Sequence, residues 1–208
     1  MTEMLTGATV RKWIEKTAAV MAENRTYLTE LDKAIGDADH GNNMDRGFKA
    51  VVEKLPEGDD IGALLKAVSM ALISKVGGAA GPLYGTMFLQ GSKPLMGKSE
   101  ISFEELAQFF EDAVAGVKMR GKAEAGEKTM LDALVPAAEA FRKAGDLDAG
   151  LKAAVEAAEQ GMKDTIPMIA KKGRASYLGE RSRDHQDPGA TSSYMIVKAL
   201  EDAVSEAA

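Results

Sequence analysis

Cysteine is absent from this sequence of 208 residues. That excludes disulfides, zinc–thiolate sites and a thiol nucleophile together, so any bound metal has to be held by oxygen or imidazole. Aromatic residues make up only 5%, and β-branched alternation is scarce, so no strand stands out. No apolar run approaches the ~20 residues a membrane span requires. The first residues, MTEMLTGATVRKWIEK, hold no apolar signal-peptide stretch, and residence in the cytoplasm is the expectation. Basic charge is in deficit. Lys+Arg number 26 against 32 Asp+Glu, a formal net charge of −6, which lacks the broad basic footprint of a nucleic-acid binder. Fixed-period repeats and low-complexity linkers are missing as well, so residues 1–208 read as one domain.

What is present is helix-forming: Ala, Leu, Met, Glu and Lys dominate. Helical spacing predicts helices over about 8–23, 25–33, 44–55, 61–75, 82–91, 103–120, 129–144, 147–171 and from 188 or 189 to the end. Val10, Trp13, Ile14, Ala18 and Met21 mark the buried face of the first. Asn24 and Asp60 are candidate N-caps, Ser102 with Glu105 is a capping box, and Pro167 predicts a kink or an early end. The second helix is short, and the expected class is all-α, about eight helices and no sheet.

Four loops interrupt this pattern. The first, Leu31–Asn43, carries Asp32, Asp37 and Asp39 among Gly36 and Gly41. In an extended turn Asp37 and Asp39 point the same way. Clustered carboxylates repel, and a hard divalent cation is the natural counter-charge; the alternative is a solvated turn. His40 suits a hydrogen-bonding role here, and Asn42 and Asn43 suit helix caps. The second loop, Gly77–Pro82, has almost no side-chain bulk and opens a helix. It serves either close helix packing or a phosphate at the helix N-terminus. The third, Gly121–Thr129, imitates a P-loop, but Glu127 sits between the second glycine and Lys128, and no strand precedes it, so Walker chemistry is rejected. Thr129 with Asp132 can cap the next helix. The fourth, Lys171–Ser193, gathers Lys171, Lys172, Arg174, Arg181 and Arg183 before the Asp187-Pro188-Gly189 turn. It is either a phosphate contact or a solvated charged loop. With helices alternating up and down, all four loops can share one rim, and acidic metal ligands beside anion donors match the division of labour in phosphoryl transfer.

The runs GDADHGNNMDRGF, VGGAAGPLYGT, RGKAEAGEKTMLD and KGRASYLGERSRDHQDPGATS resemble the nucleotide-binding L subunit of dihydroxyacetone kinase, in order and across nearly the whole chain. The resemblance implies a barrel of eight antiparallel amphipathic helices in up-and-down order, with an adenine nucleotide (ADP or ATP) and two Mg²⁺ ions at one rim. It implies Asp32, Asp37 and Asp39 as Mg²⁺ ligands. Around the nucleotide it implies His40, Gly41, Asn42, Asn43, Ala79, Ala80, Gly121, Met130, Arg174, Asp187, Pro188 and Gly189. No residue of this chain would act beyond positioning the Mg-nucleotide. The family often has Ser where Ala80 stands and Pro where Ala125 stands. The Ala80 position then offers the phosphate only its backbone N–H.

The implied activity passes a phosphoryl group to dihydroxyacetone held on a separate K subunit. The bound ADP is then rephosphorylated in place by a phosphotransferase-system M subunit, or else ATP exchanges freely. No nucleic acid and no membrane enter, and a homodimer is left open. Three other readings stand beside this one. The chain could serve a kinase for another acceptor, act as a metal-dependent hydrolase with His40 as general base, or be a non-catalytic nucleotide-binding module.

Overall fold

Nine α-helices form among the described residues, 4–207, in this computed structural model. They are α1 (Gly7–Glu23), α2 (Arg25–Ile35), α3 (His40–Glu53), α4 (Ile61–Lys75), α5 (Ala80–Ser92), α6 (Phe103–Gly121), α7 (Leu131–Ala144), α8 (Leu147–Asp164) and α9 (Pro188–Ser205). Residues 1–3 and 208, part of the span expected as one domain, lie outside the described residues. Local chemistry sets several of the boundaries. Asp60 accepts the Ala63 N–H at 2.9 Å, and Ser102 and Glu105 cap each other's backbone as a full capping box.

One helix start and one cap differ from expectation, and the early end expected near Pro167 is met. α3 begins at His40 because the Asp32 carboxylate, seven residues back, accepts the N–H groups of Asp39 (2.9 Å) and His40 (3.1 Å). Asn42 and Asn43 therefore lie in the first turn and cap nothing. Asn24 does not cap α2 with its side chain; its amide donates to Val20 O at 2.9 Å and closes α1. α8 stops at Asp164, three residues before Pro167, and residues 165–173 form an irregular link. The expected absence of strands is also corrected. β1 (Met4–Thr6) and β2 (Glu100–Ser102) pair antiparallel with Leu5 opposite Ile101. Three residues are too few to show a period of two, and only the buried Leu5 and Ile101 pair favours pairing.

Helices α3 to α9 each pack on the next, and α1 packs on both α9 and α3, so eight helices close into an up-and-down barrel. α2 is the ninth, set against α3, α9 and the 3₁₀ segment Arg174–Ser182. One continuous core fills the barrel. Trp13 illustrates how it is fastened: its indole N–H donates to Ile196 O at 2.9 Å, while the ring lies 5.8 Å from Phe88 and 6.0 Å, edge-on, from Phe109. No helix among the described residues is long and apolar enough to cross a membrane.

Because ring helices alternate in direction, the connections leading into α3, α5, α7 and α9 collect at one end of the barrel. Those connections are the four loops singled out in the sequence.

Candidate active site

All four loops line one cleft of about 610 Å³, a size suited to a nucleotide-scale ligand. One end is acidic. Asp32, Asp37 and Asp39 each offer a carboxylate oxygen, and these lie within 4.8 Å of one another. Asp32 is buried and comes from the last turn of α2, while Asp37 and Asp39 flank Ala38. The backbone here is not extended. Ala38 takes a left-handed conformation (φ +60°), and this turn, rather than strand-like alternation, brings the carboxylates together. Gly36 is required: a Cβ there would lie 2.0 Å from Asp32 Oδ1. Burial, followed by the charges of Asp37 and Asp32, pushes the Asp39 carboxyl above its ordinary range, against the Asn43 hydrogen bond that lowers it. One ion pair reaches the cluster, Arg174 Nε to Asp37 Oδ2 at 3.0 Å. Three close carboxylates facing a cleft, with one guanidinium against one of them, fit a hard divalent cation.

His40 lines the cleft beside them but is buried, and its Nε2 is 2.8 Å from Ser192 Oγ. Burial lowers its pKa to about 4, so the ring is neutral at physiological pH. Ser192 in turn meets Tyr84 Oη at 2.6 Å, and Tyr84 also bonds Ser193 Oγ (2.9 Å) and Gly189 O (3.0 Å). This buried polar knot ties α5 to the first turn of α9, beneath the cleft. Tyr84→Phe would leave those partners short of one bond each. It is expected to cost about 1–3 kcal/mol of stability, read by chemical denaturation, with the Asp cluster's metal binding unchanged. Of the other expected residues on α3, Gly41 packs against α2, where a Cβ would lie 2.0 Å from Arg25 O. Asn43 is buried and accepts from Arg46 at 2.6 Å, and Asn42 is exposed. These three do not line the cleft.

The middle of the cleft is the Gly77–Ala80 loop. α3, α5, α7 and α9 all begin here, so four helix N-termini converge on one space and give it positive potential. Three of them are already served by side chains. Asp32 caps α3, Asp187 accepts the Ala190 N–H of α9 at 2.8 Å, and Asp132 accepts the Thr129 N–H before α7 at 2.7 Å. α5 has Ala79 at its N-cap position and no side-chain cap. A Cβ at Gly77 would meet nothing closer than 3.7 Å, and one at Gly78 nothing within 4 Å, so the backbone borders open space. Unserved N–H groups beside a cradle without side chains fit a phosphate.

Gly121, Met130 and the Asp187-Pro188-Gly189 turn line the same cleft. Sequence reasoning missed Leu83, Val117, Arg120 and Lys128, which line it too. Leu83 and Val117 carry the same helical spacing as core residues and give no separate signal, and the P-loop likeness around Lys128 points to the wrong chemistry. Asp187 is buried, and burial, with Asp132 adding to it, raises its pKa to about 7 against the Ala190 N–H and Lys128. The folded chain therefore holds this proton to a higher pH than the unfolded chain, and stability drains as pH rises from about 4 to about 7, then levels. Asp187→Asn removes that slope. In denaturation titrations with EDTA, the variant's advantage over the parent is expected to widen across this window by at most about 1.4 kcal/mol per pH unit and to stay constant above it.

The DAK2 domain family matches residues 34–202. The chain is 48% identical over 200 residues to the PEP-dependent dihydroxyacetone kinase ADP-binding subunit DhaL of Escherichia coli (strain K12), covering 93% of this chain and 95% of that one. It is 39% identical over 204 residues to the PTS-dependent dihydroxyacetone kinase ADP-binding subunit DhaL of Lactococcus lactis subsp. lactis (strain IL1403), covering 97% and 100%. Its fold matches the crystal structure of the dihydroxyacetone kinase from C. freundii in complex with AMP-PNP and Mg²⁺, with a TM-score of 0.71 and 27% identity over 94% of this chain. The match spans 34% of that longer chain.

Proposed function

Because the chain belongs to the DAK2 domain family, we propose that it is the nucleotide-binding subunit of a multi-subunit dihydroxyacetone kinase, folded as one nucleotide-binding domain. The observation that carries this reading is the placement, in one cleft, of three convergent carboxylates beside the uncapped start of α5. Asp32, Asp37 and Asp39 would hold two Mg²⁺ ions; Gly77–Ala80 and the N-terminus of α5 would hold the phosphates; Met130, Leu83 and Val117 would flank the base. His40 borders the phosphate side from its bond to Ser192.

The Mg-nucleotide, when bound, supplies the phosphoryl group and the cations that neutralise its oxygens. The chain's own part is positioning and electrostatics. The backbone N–H groups of α5 would stabilise negative charge as it develops, and Arg174, which pairs with Asp37, would be placed to offer its guanidinium to a phosphate. No side chain serves as nucleophile. The acceptor, dihydroxyacetone, is carried by a separate K subunit and leaves as dihydroxyacetone phosphate. The relatives' dependence on PEP or the PTS supports rephosphorylation of bound ADP in place by an M subunit. A hydrolase is disfavoured by His40, whose Nε2 is engaged by Ser192 Oγ in a buried ring.

The test is the nucleotide content of freshly purified protein, identified by chromatography after denaturation, with and without EDTA. Near-stoichiometric ADP that leaves only when Mg²⁺ is stripped is the expected result. An empty protein that exchanges ATP and ADP would replace in-place rephosphorylation by free ATP. An empty protein that binds neither would overturn the site.

A further inference from the structure

We propose that Lys128 is a positioning residue for nucleotide binding, an internal cation at the joint of three strips of chain that border the cleft; this rests on the nucleotide reading above. Lys128 is 1% exposed, although it carries the charge of the P-loop-like segment that the activity leaves unused. Its Nζ donates to three main-chain carbonyls, Thr165 O (2.7 Å), Met168 O (3.1 Å) and His185 O (2.5 Å), with Ile166 O a fourth, shared acceptor at 3.4 Å. These oxygens belong to the link after α8 and to the segment just before the α9 cap. Lys128 itself immediately precedes Thr129 and Met130 of the cleft wall.

Shorter ties complete the joint. Asp187 N–H donates to Thr165 Oγ1 at 3.0 Å, Asp184 N–H to Ile166 O at 2.8 Å, and Lys171 N–H to Glu127 O at 3.1 Å. The ammonium therefore ties the wall at 129–131 to the link after α8 and to the segment leading to the floor at 187–189, while the edge at 172–174 is held beside it by the Lys171–Glu127 backbone bond.

Its costs show that stability alone does not account for it. A buried ammonium loses its hydration, and here it meets neutral carbonyls, with the carboxylates of Asp187, Asp184 and Asp132 close enough to act on its charge. Lys128 also sits at φ +64°, a conformation that disfavours any side chain. In return, the carbonyl cage fixes three otherwise irregular segments to a common point. A ligand touching all three then requires little reorganisation of them. No contact between Lys128 and the phosphates is part of the proposal, since its ammonium is taken up by the carbonyls.

The test removes the ammonium and then returns it. Lys128→Ala leaves room for the missing propylammonium. Its affinity for ADP in Mg²⁺, measured by calorimetry well below its melting temperature, is expected to fall at least tenfold. Propylammonium at tens of millimolar is expected to recover most of that loss, and 1-propanol none. A folded Lys128→Ala protein that binds ADP within twofold of the parent overturns the proposal. So does equal recovery with propanol, which would mean that only volume matters. Failure of the parent to bind ADP would instead strike the nucleotide reading. Should Lys128→Ala not fold, amide hydrogen exchange in the parent decides. Binding of Mg-ADP is expected to slow exchange at Lys171, Asp184 and Asp187, and unchanged exchange at all three overturns the coupling.

Discussion

Asp37→Ala is expected to leave the protein folded and to weaken its hold on nucleotide in Mg²⁺ by at least about 100-fold. Changes merely in the outer shell of a metal site cost 10–100-fold, and Asp37 stands in the proposed inner set. The fold has little stake in this side chain. Its one ion pair is to Arg174, whose side chain is 66% exposed, and exposed pairs contribute little. Losing Asp37 also relieves the repulsion that raises the Asp39 carboxyl. The melting temperature in EDTA should therefore stay level or rise, while the stabilisation that Mg-ADP gives the parent disappears. Calorimetric titration with ADP, with and without Mg²⁺, separates the two effects. Unchanged affinity in Mg²⁺ would remove Asp37 from the metal set. Stability and binding moving in opposite directions is the signature of charge gathered for a ligand rather than for the fold.

How much of this was legible beforehand depends on whether the determinant was local. The capping box at Ser102 and Glu105, the cap at Asp60, the apolar face around Trp13 and the start of α9 at Pro188 are written in neighbouring residues, and they hold. The four loops announced themselves because glycine and aspartate interrupt strong helical periodicity. Their meeting at one rim follows from alternating helix direction, although only the structure shows the ring closing through α1, α3 and α9.

What failed was long-range. The start of α3 is set by a carboxylate on the preceding helix. The clustering of Asp37 and Asp39 uses a left-handed alanine that no propensity suggests. Leu83 and Val117 read as core because a cleft wall and a core face share one helical spacing. In each case the deciding partner lies in another segment of chain, where periodicity and local propensity carry no information.

The glycine loop separates folding from binding most sharply, and substitutions four residues apart are expected to differ in what they cost the fold. At Gly81 a Cβ would lie 2.2 Å from Val76 O and 3.2 Å from Leu72 O, backbone atoms of the end of α4 and its cap. Neither can retreat without moving the start of α5. Gly81→Ala should therefore behave as an overpacked site, losing about 1–3 kcal/mol and, with the helix start displaced, part of its nucleotide affinity as well. At Gly77 the nearest atoms to a Cβ are Asn43 Oδ1 and Nδ2 at 3.7 and 3.8 Å, ordinary contact, and φ is not left-handed. Gly77→Leu should fold with a melting temperature close to the parent's. Its side chain, however, extends from a residue that lines the cleft, beside the N–H groups proposed to hold the phosphates, and ADP affinity should fall more than tenfold. Gly78 lies between these cases: open space around its Cβ but φ +63°, so Gly78→Ala is expected to cost about 1–2 kcal/mol of backbone strain without a clash. Thermal melts and ADP titrations on the three variants give a pattern that a loop serving only helix packing cannot produce. Were Gly77→Leu to bind ADP as well as the parent, the phosphates would have to lie elsewhere than on the start of α5.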